Sequence, residues 1–110
     1  MPKYAYVFSL TSDAISHFID NPSDRAAAVR QLVEPVGGRV DGYYFMFGQD
    51  DGIVIVDLPD SRTAAAISLA VSSTGAFSRL RTHELIPAED ITSVLAAARS
   101  ARSGYRAPGA

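Results

Sequence analysis

Hydrophobic residues recur with two different periods along this chain. A period of two, which places every second side chain on one face of a strand, marks three segments, and a continuous apolar run marks a fourth. A period near 3.6, typical of amphipathic helices, marks the segments between them. The predicted strands are Tyr4–Leu10, Arg39–Phe47, Ile53–Asp57 and Phe77–Leu85. Helices are predicted after the first, third and fourth strands.

Capping and breaking residues divide the helical segments. Asn21–Pro22 interrupts the first segment, so that a short helix precedes a longer one that ends at Gly37–Gly38. Short polar side chains precede each helix, where they can accept hydrogen bonds from the free N–H groups of the first turn. The expected caps are Thr11 or Ser12, Ser23 and Asp60, and Pro87 is expected to open the final helix.

The order of the elements predicts an α+β fold. Strand, helix, strand, strand, helix, strand is the split βαβ arrangement of ferredoxin-like proteins, with an antiparallel four-stranded sheet and here one more C-terminal helix. Right-handed crossovers place the first and third strands at the centre. The third strand is apolar on both faces, so Ile55 is expected to be buried. One face of the two central strands is expected to carry Tyr4, Tyr6, Phe8, Ile53 and Ile55. The other face is expected to carry Ala5, Val7, Val54 and Val56.

The length of 110 residues fits one domain, predicted over residues 1–102, with a flexible tail over residues 103–110. Two crossover helices can cover only one face of the sheet, and the final helix is too short to cover the other. An apolar face would then remain exposed, which soluble monomers usually avoid. We therefore expect a homodimer in which the two sheets pack together.

The amino-acid composition argues against several classes of function. The chain has 10 basic and 12 acidic residues, a net charge of -2, and no basic stripe, which argues against nucleic-acid binding. It has no cysteine, so disulfides, thiolate catalysis and cysteine-bound metals are excluded. The first ten residues are too short and too polar a run for a signal peptide or membrane span, so we expect a cytoplasmic protein with no membrane contact.

Several motifs together resemble the GYD domain family, over about Pro2 to Ala88. The motifs are Met1-Pro-Lys-Tyr4, Gly37–Gly38, Tyr44-Phe-Met-Phe-Gly48, Asp51-Gly-Ile-Val-Ile-Val-Asp-Leu-Pro-Asp60 and Ala70-Val-Ser-Ser-Thr-Gly75. The resemblance implies a bacterial protein with a ferredoxin-like fold that pairs into a dimeric α/β barrel, and it implies almost nothing about chemistry. The sequence departs from the family pattern at Asp50, where the turn usually carries an aromatic residue.

Asp50 and Asp51 lie between the two most apolar runs of the chain. Next to Gly52, Asp51 is typical of a hairpin turn, in which the carboxylate bonds its own backbone and glycine adopts positive φ. The alternative is a catalytic acid or base. Neighbouring side chains of an extended chain point to opposite sides, so the two carboxylates are not expected to face one substrate.

Arg79, Arg81 and His83 recur with period two on the fourth strand, and Phe77 is expected on the same face. These cationic or titratable groups suit an anionic ligand, although a solvated edge strand would show the same pattern. No metal site and no cofactor are predicted, because the two histidines are isolated. Most aromatic residues are expected in the core, where they can also line a cavity for a flat apolar molecule: Tyr4, Tyr6, Phe8, Tyr43, Tyr44, Phe45 and Phe47.

Three hypotheses of function follow, of which the third is an assembly module with no ligand. The first is a dimeric module that binds a small molecule or serves in regulation, with Arg79, Arg81 and His83 as ligand-binding residues. The second is a cofactor-free oxygenase or isomerase of the dimeric α/β barrel type, acting on a small aromatic or keto acid. Its candidate catalytic groups are Tyr44, Asp51 and His83. Analogy with other proteins of the same fold is the only support for this second hypothesis.

Overall fold

A computed structural model describes residues 1–109 of the chain, and Ala110 lies outside the described residues. Four strands form one sheet: β1 (Lys3–Leu10), β2 (Arg39–Phe45), β3 (Gly52–Asp57) and β4 (Phe77–Leu85). Their order is β2-β3-β1-β4, and each neighbouring pair is antiparallel. The predicted α+β sheet with β1 and β3 at its centre is confirmed.

The helices are α1 (Ser12–Asp20), α2 (Arg25–Val33), α3 (Ser61–Ser72) and α4 (Ile91–Gly104). Thr11 caps α1 and Asp60 caps α3 as predicted, since each side chain accepts a hydrogen bond from a backbone N–H of the first turn. The cap of α2 is Asp24, which accepts from Ala27 N at 3.0 Å, so the prediction of Ser23 is wrong by one residue.

The core lies on the face of the sheet that the helices cover. Tyr4, Tyr6 and Phe8 of β1 are buried there together with Val54 and Val56 of β3. The expected grouping of Tyr4, Tyr6 and Phe8 with Ile53 and Ile55 is therefore wrong. The antiparallel register pairs Tyr4 with Val56 and Tyr6 with Val54, and directly paired residues point to the same face.

The opposite face carries no helix. Ala5 and Val7 of β1 lie there beside Ile53 and Ile55 of β3. Ile55 is only half-buried within one chain, in contrast to the expected full burial. We call this surface, formed by Ala5, Val7, Tyr44, Ile53 and Ile55, the open face.

A bulge changes the face of Phe77. The register between β1 and β4 shifts between Ser9 and Leu10, so that Leu10 pairs with Phe77. Phe77 then packs edge-on against Phe8, with ring centroids 5.5 Å apart, on the helix-covered face. The expectation that Phe77 shares a face with Arg79 is wrong, because the extra residue of a bulge reverses the alternation.

The last helix, α4, stands away from the sheet. None of its residues is buried, and its main contact is with the short 3₁₀ helix, Ala88–Asp90, that precedes it. The described chain therefore measures 56 × 34 × 23 Å, with a radius of gyration of 17.4 Å, whereas a compact domain of this length has about 13 Å. The helix also runs to Gly104, two residues into the segment predicted as a tail.

Candidate ligand-binding cavity

A cavity of about 880 Å³ lies between the helices and the covered face of the sheet. Its floor is formed by side chains of the central strands, and its walls by α1, α2 and the end of α3. A volume in this range is typical of sites for drug-sized ligands. The floor residues are Tyr6, Phe8, Leu10, Val54 and Val56.

Aromatic rings form a continuous chain through the cavity wall. Phe8 is in edge-on contact with Phe77, and it also meets Tyr43 at a centroid distance of 6.0 Å. Tyr43 contacts Phe45 at 5.1 Å, and Phe45 stacks on Phe18 of α1 at 5.8 Å. Rings arranged in this way offer both faces and edges to a flat apolar molecule. These rings correspond to the aromatic-lined cavity that the sequence predicts.

Not every aromatic residue expected in the core lies in it. Tyr4, Tyr6 and Phe8 are buried and Tyr43 is half-buried, but Tyr44, Phe45 and Phe47 are exposed. Strand β2 is an edge strand that ends at Phe45 rather than at Phe47, so its last residues have fewer neighbours. The expectation of a core position is wrong for these three residues.

The mouth of the cavity is polar. Six of the polar lining residues are exposed to solvent, so they lie where the cavity opens: Asp13, His17, Asn21, Ser23, Arg25 and Thr74. Thr74 follows α3, and the other five come from α1, from the connection to α2, or from the first residue of α2. Arg25 lies beside the hydroxyl of Tyr43, whose pKa burial raises above the ordinary 10.0 while the guanidinium offsets part of that shift.

Helix α1 is weakly attached to the rest of the chain. None of its residues is buried, and it begins directly after β1, where Thr11 N donates to Ala76 O at 2.9 Å. The stacking of Phe18 on Phe45 joins its other end to β2. Because few apolar contacts hold it, α1 belongs to the part of the fold that opens most easily.

The turn before β3 separates the two adjacent carboxylates. Asp51 Oδ2 accepts a hydrogen bond from Leu10 N at 2.7 Å. Asp50 instead accepts from Arg81 at 2.7 Å and from the Ser9 hydroxyl at 3.3 Å. Asp51 thus bonds the backbone of another strand rather than its own, and the positive φ in the turn belongs to Gly48, not Gly52.

The predicted cationic row lies on the uncovered side of β4. Arg79 pairs with Ser9, Arg81 with Val7 and His83 with Ala5, and all three members of the row are exposed. Arg81 is already engaged with Asp50. The row does not enter the cavity, so an anionic ligand on it would bind at the surface.

The candidate catalytic groups do not converge within one chain. Tyr44 is on β2 and His83 on β4, the two edge strands. Three strand spacings separate them, which amount to about 14 Å. Asp51 is bound to Leu10 N at the end of β1.

A charged cluster lies at the end of the sheet, and the sequence pattern did not indicate it. Asp57 has a side chain only 9% exposed and accepts hydrogen bonds from Lys3 and Arg39, both at 2.9 Å. Lys3 also pairs with Asp41. Hydrogen bonds from Lys3 and Arg39 lower the pKa of Asp57, and those with Asp41 and Asp57 raise the pKa of Lys3. Only the pairing of β1, β2 and β3 brings these residues together.

Residues 1–109 contain neither a cluster of metal-binding side chains nor a membrane-spanning helix. No three histidine, aspartate or glutamate side chains come close enough to hold a metal ion in this part of the chain. Among the helices of the same residues, none has the length and apolarity needed to cross a bilayer.

The comparisons with known proteins are consistent with this fold. A family model, that of the GYD domain, matches residues 4–95, which is most of the chain. A search of curated proteins gives no match. The matched segment includes all four strands except Lys3 of β1, as well as the whole wall of the cavity, and it ends within α4.

Proposed function

The chain belongs to the GYD domain family, and from this premise we propose that it is a cytoplasmic homodimer that binds a small apolar molecule in the cavity. The observation that carries the proposal is the cavity of about 880 Å³ beneath α1. A well-packed interior leaves few voids larger than a water molecule. A space of this size in a chain of 110 residues is therefore better explained by a ligand than by inefficient packing.

The lining supports an apolar ligand. Phe8, Phe18, Tyr43, Phe45 and Phe77 present rings to the cavity, and most other lining residues are aliphatic. Polar groups concentrate at the mouth, where they can fix the orientation of a ligand without increasing the polarity of the interior.

The open face supports the homodimer. Ala5, Val7, Ile53 and Ile55 form an apolar strip across the two central strands, and Tyr44 beside them is 62% exposed. A second copy can cover this strip symmetrically, since the same surface is used twice. The proposed contact would bury on the order of 1,600 Å² or more in total.

Helix α4 adds a second argument for a partner copy. Isolated helices of its length are marginally stable in water, yet Ile91, Val94 and Leu95 expose 40%, 42% and 60% of their surface. Residues 91–110 carry three arginines and no acidic residue, a net charge of +3, whereas residues 1–90 carry seven basic and twelve acidic residues, a net charge of −5. These opposite charges favour docking of α4 on the body of a second copy.

The alternative, a cofactor-free oxygenase or isomerase, has less support. Tyr44 and His83 lie on opposite edge strands of one chain, and Asp51 is bound to a backbone N–H. General acid–base catalysis needs its groups within hydrogen-bond reach of one substrate.

A neutral fluorophore, N-phenyl-1-naphthylamine, tests the binding proposal. Its emission rises in apolar surroundings, and we expect saturable binding of one molecule per chain. Ala28→Phe places a ring on the cavity wall and is expected to abolish the binding, because Ala28 lines the cavity. Ala70→Phe is the matched control on the exposed side of α3 and is expected to bind as the natural chain does.

Circular dichroism of both variants establishes that they are folded. If the fluorophore binds Ala28→Phe as well as it binds the natural chain, its site lies outside the cavity and the proposal is contradicted. Absence of binding to the natural chain would also contradict the proposal.

A further inference from the structure

The two charged residues at the mouth of the cavity stand in different surroundings. Arg25 begins α2 beside the Tyr43 hydroxyl, and Asp13 lies in the first turn of α1. The macrodipole of α1 favours an acidic side chain in that turn. Arg25 has the opposite relation to its helix, because a cation at a helix N-terminus is not favoured by the dipole.

Arg25 also has no carboxylate partner within the chain. None of the ion pairs formed among residues 1–109 includes it. The adjacent Asp24 carboxylate accepts a hydrogen bond from Ala27 N at 3.0 Å, which directs it to the first turn of α2. Among the described residues, therefore, no carboxylate occupies the donors of this guanidinium, which lies at the edge of an apolar cavity.

Tyr43 supplies a second donor at the same place. A tyrosine hydroxyl is protonated at neutral pH and can donate a hydrogen bond, and burial raises the pKa of this one further above 10.0. The Tyr43 ring contacts Phe8 and Phe45, and its hydroxyl lies beside the Arg25 guanidinium. A polar donor pair thus adjoins the aromatic wall.

We propose that the ligand of the cavity is an aromatic organic acid whose rings lie among Phe8, Phe18 and Phe45 and whose carboxylate binds Arg25 and the Tyr43 hydroxyl. This inference rests on the proposed function and specifies its ligand class. A guanidinium and a carboxylate form charge-assisted hydrogen bonds, which are stronger than neutral ones. Asp13 repels an anion, so the carboxylate is oriented toward the α2 end of the mouth.

Two probes that differ in the charged group test the inference by titration calorimetry. The probes are 2-naphthoate and its neutral counterpart 2-naphthylmethanol. We expect the natural chain to bind 2-naphthoate about tenfold more tightly, because only the acid can pair with Arg25. Arg25→Gln and Tyr43→Phe are each expected to weaken 2-naphthoate and to change the affinity for 2-naphthylmethanol by less than about twofold.

Arg30→Gln is the control variant, since Arg30 lies on the same helix, is exposed and does not line the cavity. It removes the same charge from the chain and is expected to leave both affinities unchanged. An equal loss in Arg25→Gln and Arg30→Gln would indicate a general charge effect and overturn the inference.

The two probes also separate this inference from the proposed function. Equal binding of both probes, unaffected by Arg25→Gln, would reject the organic acid and keep a neutral apolar ligand. If the natural chain binds neither probe, both the ligand class and the use of the cavity are contradicted.

Discussion

The carboxylate of Asp51 accepts a hydrogen bond from the backbone N–H of Leu10 at 2.7 Å, and so joins the turn before β3 to the end of β1. The backbone N–H of Asp51 in turn donates to Phe8 O at 2.8 Å. These two bonds continue the β1–β3 ladder one step past Gly52. Asp51 is accordingly tied into the sheet at the point where the two central strands meet the cavity floor.

The first prediction concerns this bond. Asp51→Ala leaves the Leu10 N–H without its partner and is expected to lower the free energy of unfolding by about 1–3 kcal/mol. Asp51→Asn keeps an acceptor oxygen and is expected to retain most of the stability. Urea denaturation measures both variants. Loss of ligand binding in Asp51→Asn with unchanged stability would instead favour a direct role of the carboxylate in the site.

The second prediction concerns Gly52. A Cβ atom built at this residue would lie 2.2 Å from Cζ of Phe8, a distance that van der Waals repulsion forbids. Gly52→Ala must therefore displace a buried ring that forms part of the cavity floor, and we expect a loss of about 1–3 kcal/mol in thermal or urea unfolding. Gly104→Ala is the control, because nothing lies within 4 Å of the added atom. A neutral effect at Gly52 would mean that the Phe8 ring relaxes into the cavity at little cost.

The third prediction concerns the pH dependence of stability. Hydrogen bonds from Lys3 and Arg39 lower the pKa of Asp57 below its ordinary 3.8. A lowered pKa in the folded state stabilises the fold above the ordinary value, and this contribution disappears as the pH falls through the folded-state pKa. The stability difference between the natural chain and Asp57→Asn should therefore be constant near neutral pH and shrink below pH 3.8.

Chemical denaturation at several pH values measures this difference. Asp20→Asn, at an exposed carboxylate of α1 outside the Asp57 cluster, is the control. A difference that does not change with pH would show that the Asp57 ion pairs contribute nothing to folding.

The fourth prediction concerns assembly. Ile55 is half-buried in one chain and would be covered in the proposed dimer. Ile55→Thr keeps a β-branched side chain but introduces a hydroxyl, so we expect the dissociation constant of the dimer to rise about tenfold or more, because a hydroxyl buried without a partner is costly. Sedimentation velocity over a range of concentrations measures it. Thr82→Ala, an exposed residue on the other face of β4, is the control.

Sedimentation velocity also tests the role of α4 in the proposed dimer. Leu95→Ser removes the most exposed side chain of its apolar residues and is expected to weaken the dimer without changing the stability of the monomer. A monomeric natural chain at micromolar concentration would contradict the proposed dimer outright.

The periodic pattern determined the elements and their order. Alternation with period two located three strands, and the continuous apolar run of β3 located the fourth and marked the centre of the sheet. The caps Thr11 and Asp60 marked helix starts. These features depend on residues within a few positions of one another, so they can be read from the local sequence.

Tertiary structure alone decided which faces and which distant residues meet. The grouping of Tyr4 with Val56 follows from the antiparallel register, and the turn of Phe77 toward Phe8 follows from a bulge. The requirement for glycine at position 52 comes from the ring of Phe8, 44 residues earlier in the chain, and not from the backbone conformation of a turn.

The cavity also combines features that the sequence determines with features that only the tertiary structure determines. Its aromatic residues are visible in the sequence, but Phe18 and Phe45 stack only because α1 folds back over the end of β2. Arg25 and Tyr43 likewise become neighbours only when α2 lies across the sheet. Side-chain periodicity specifies one element at a time, whereas a cavity is a space between elements, and its shape depends on how the packed layers are placed relative to one another.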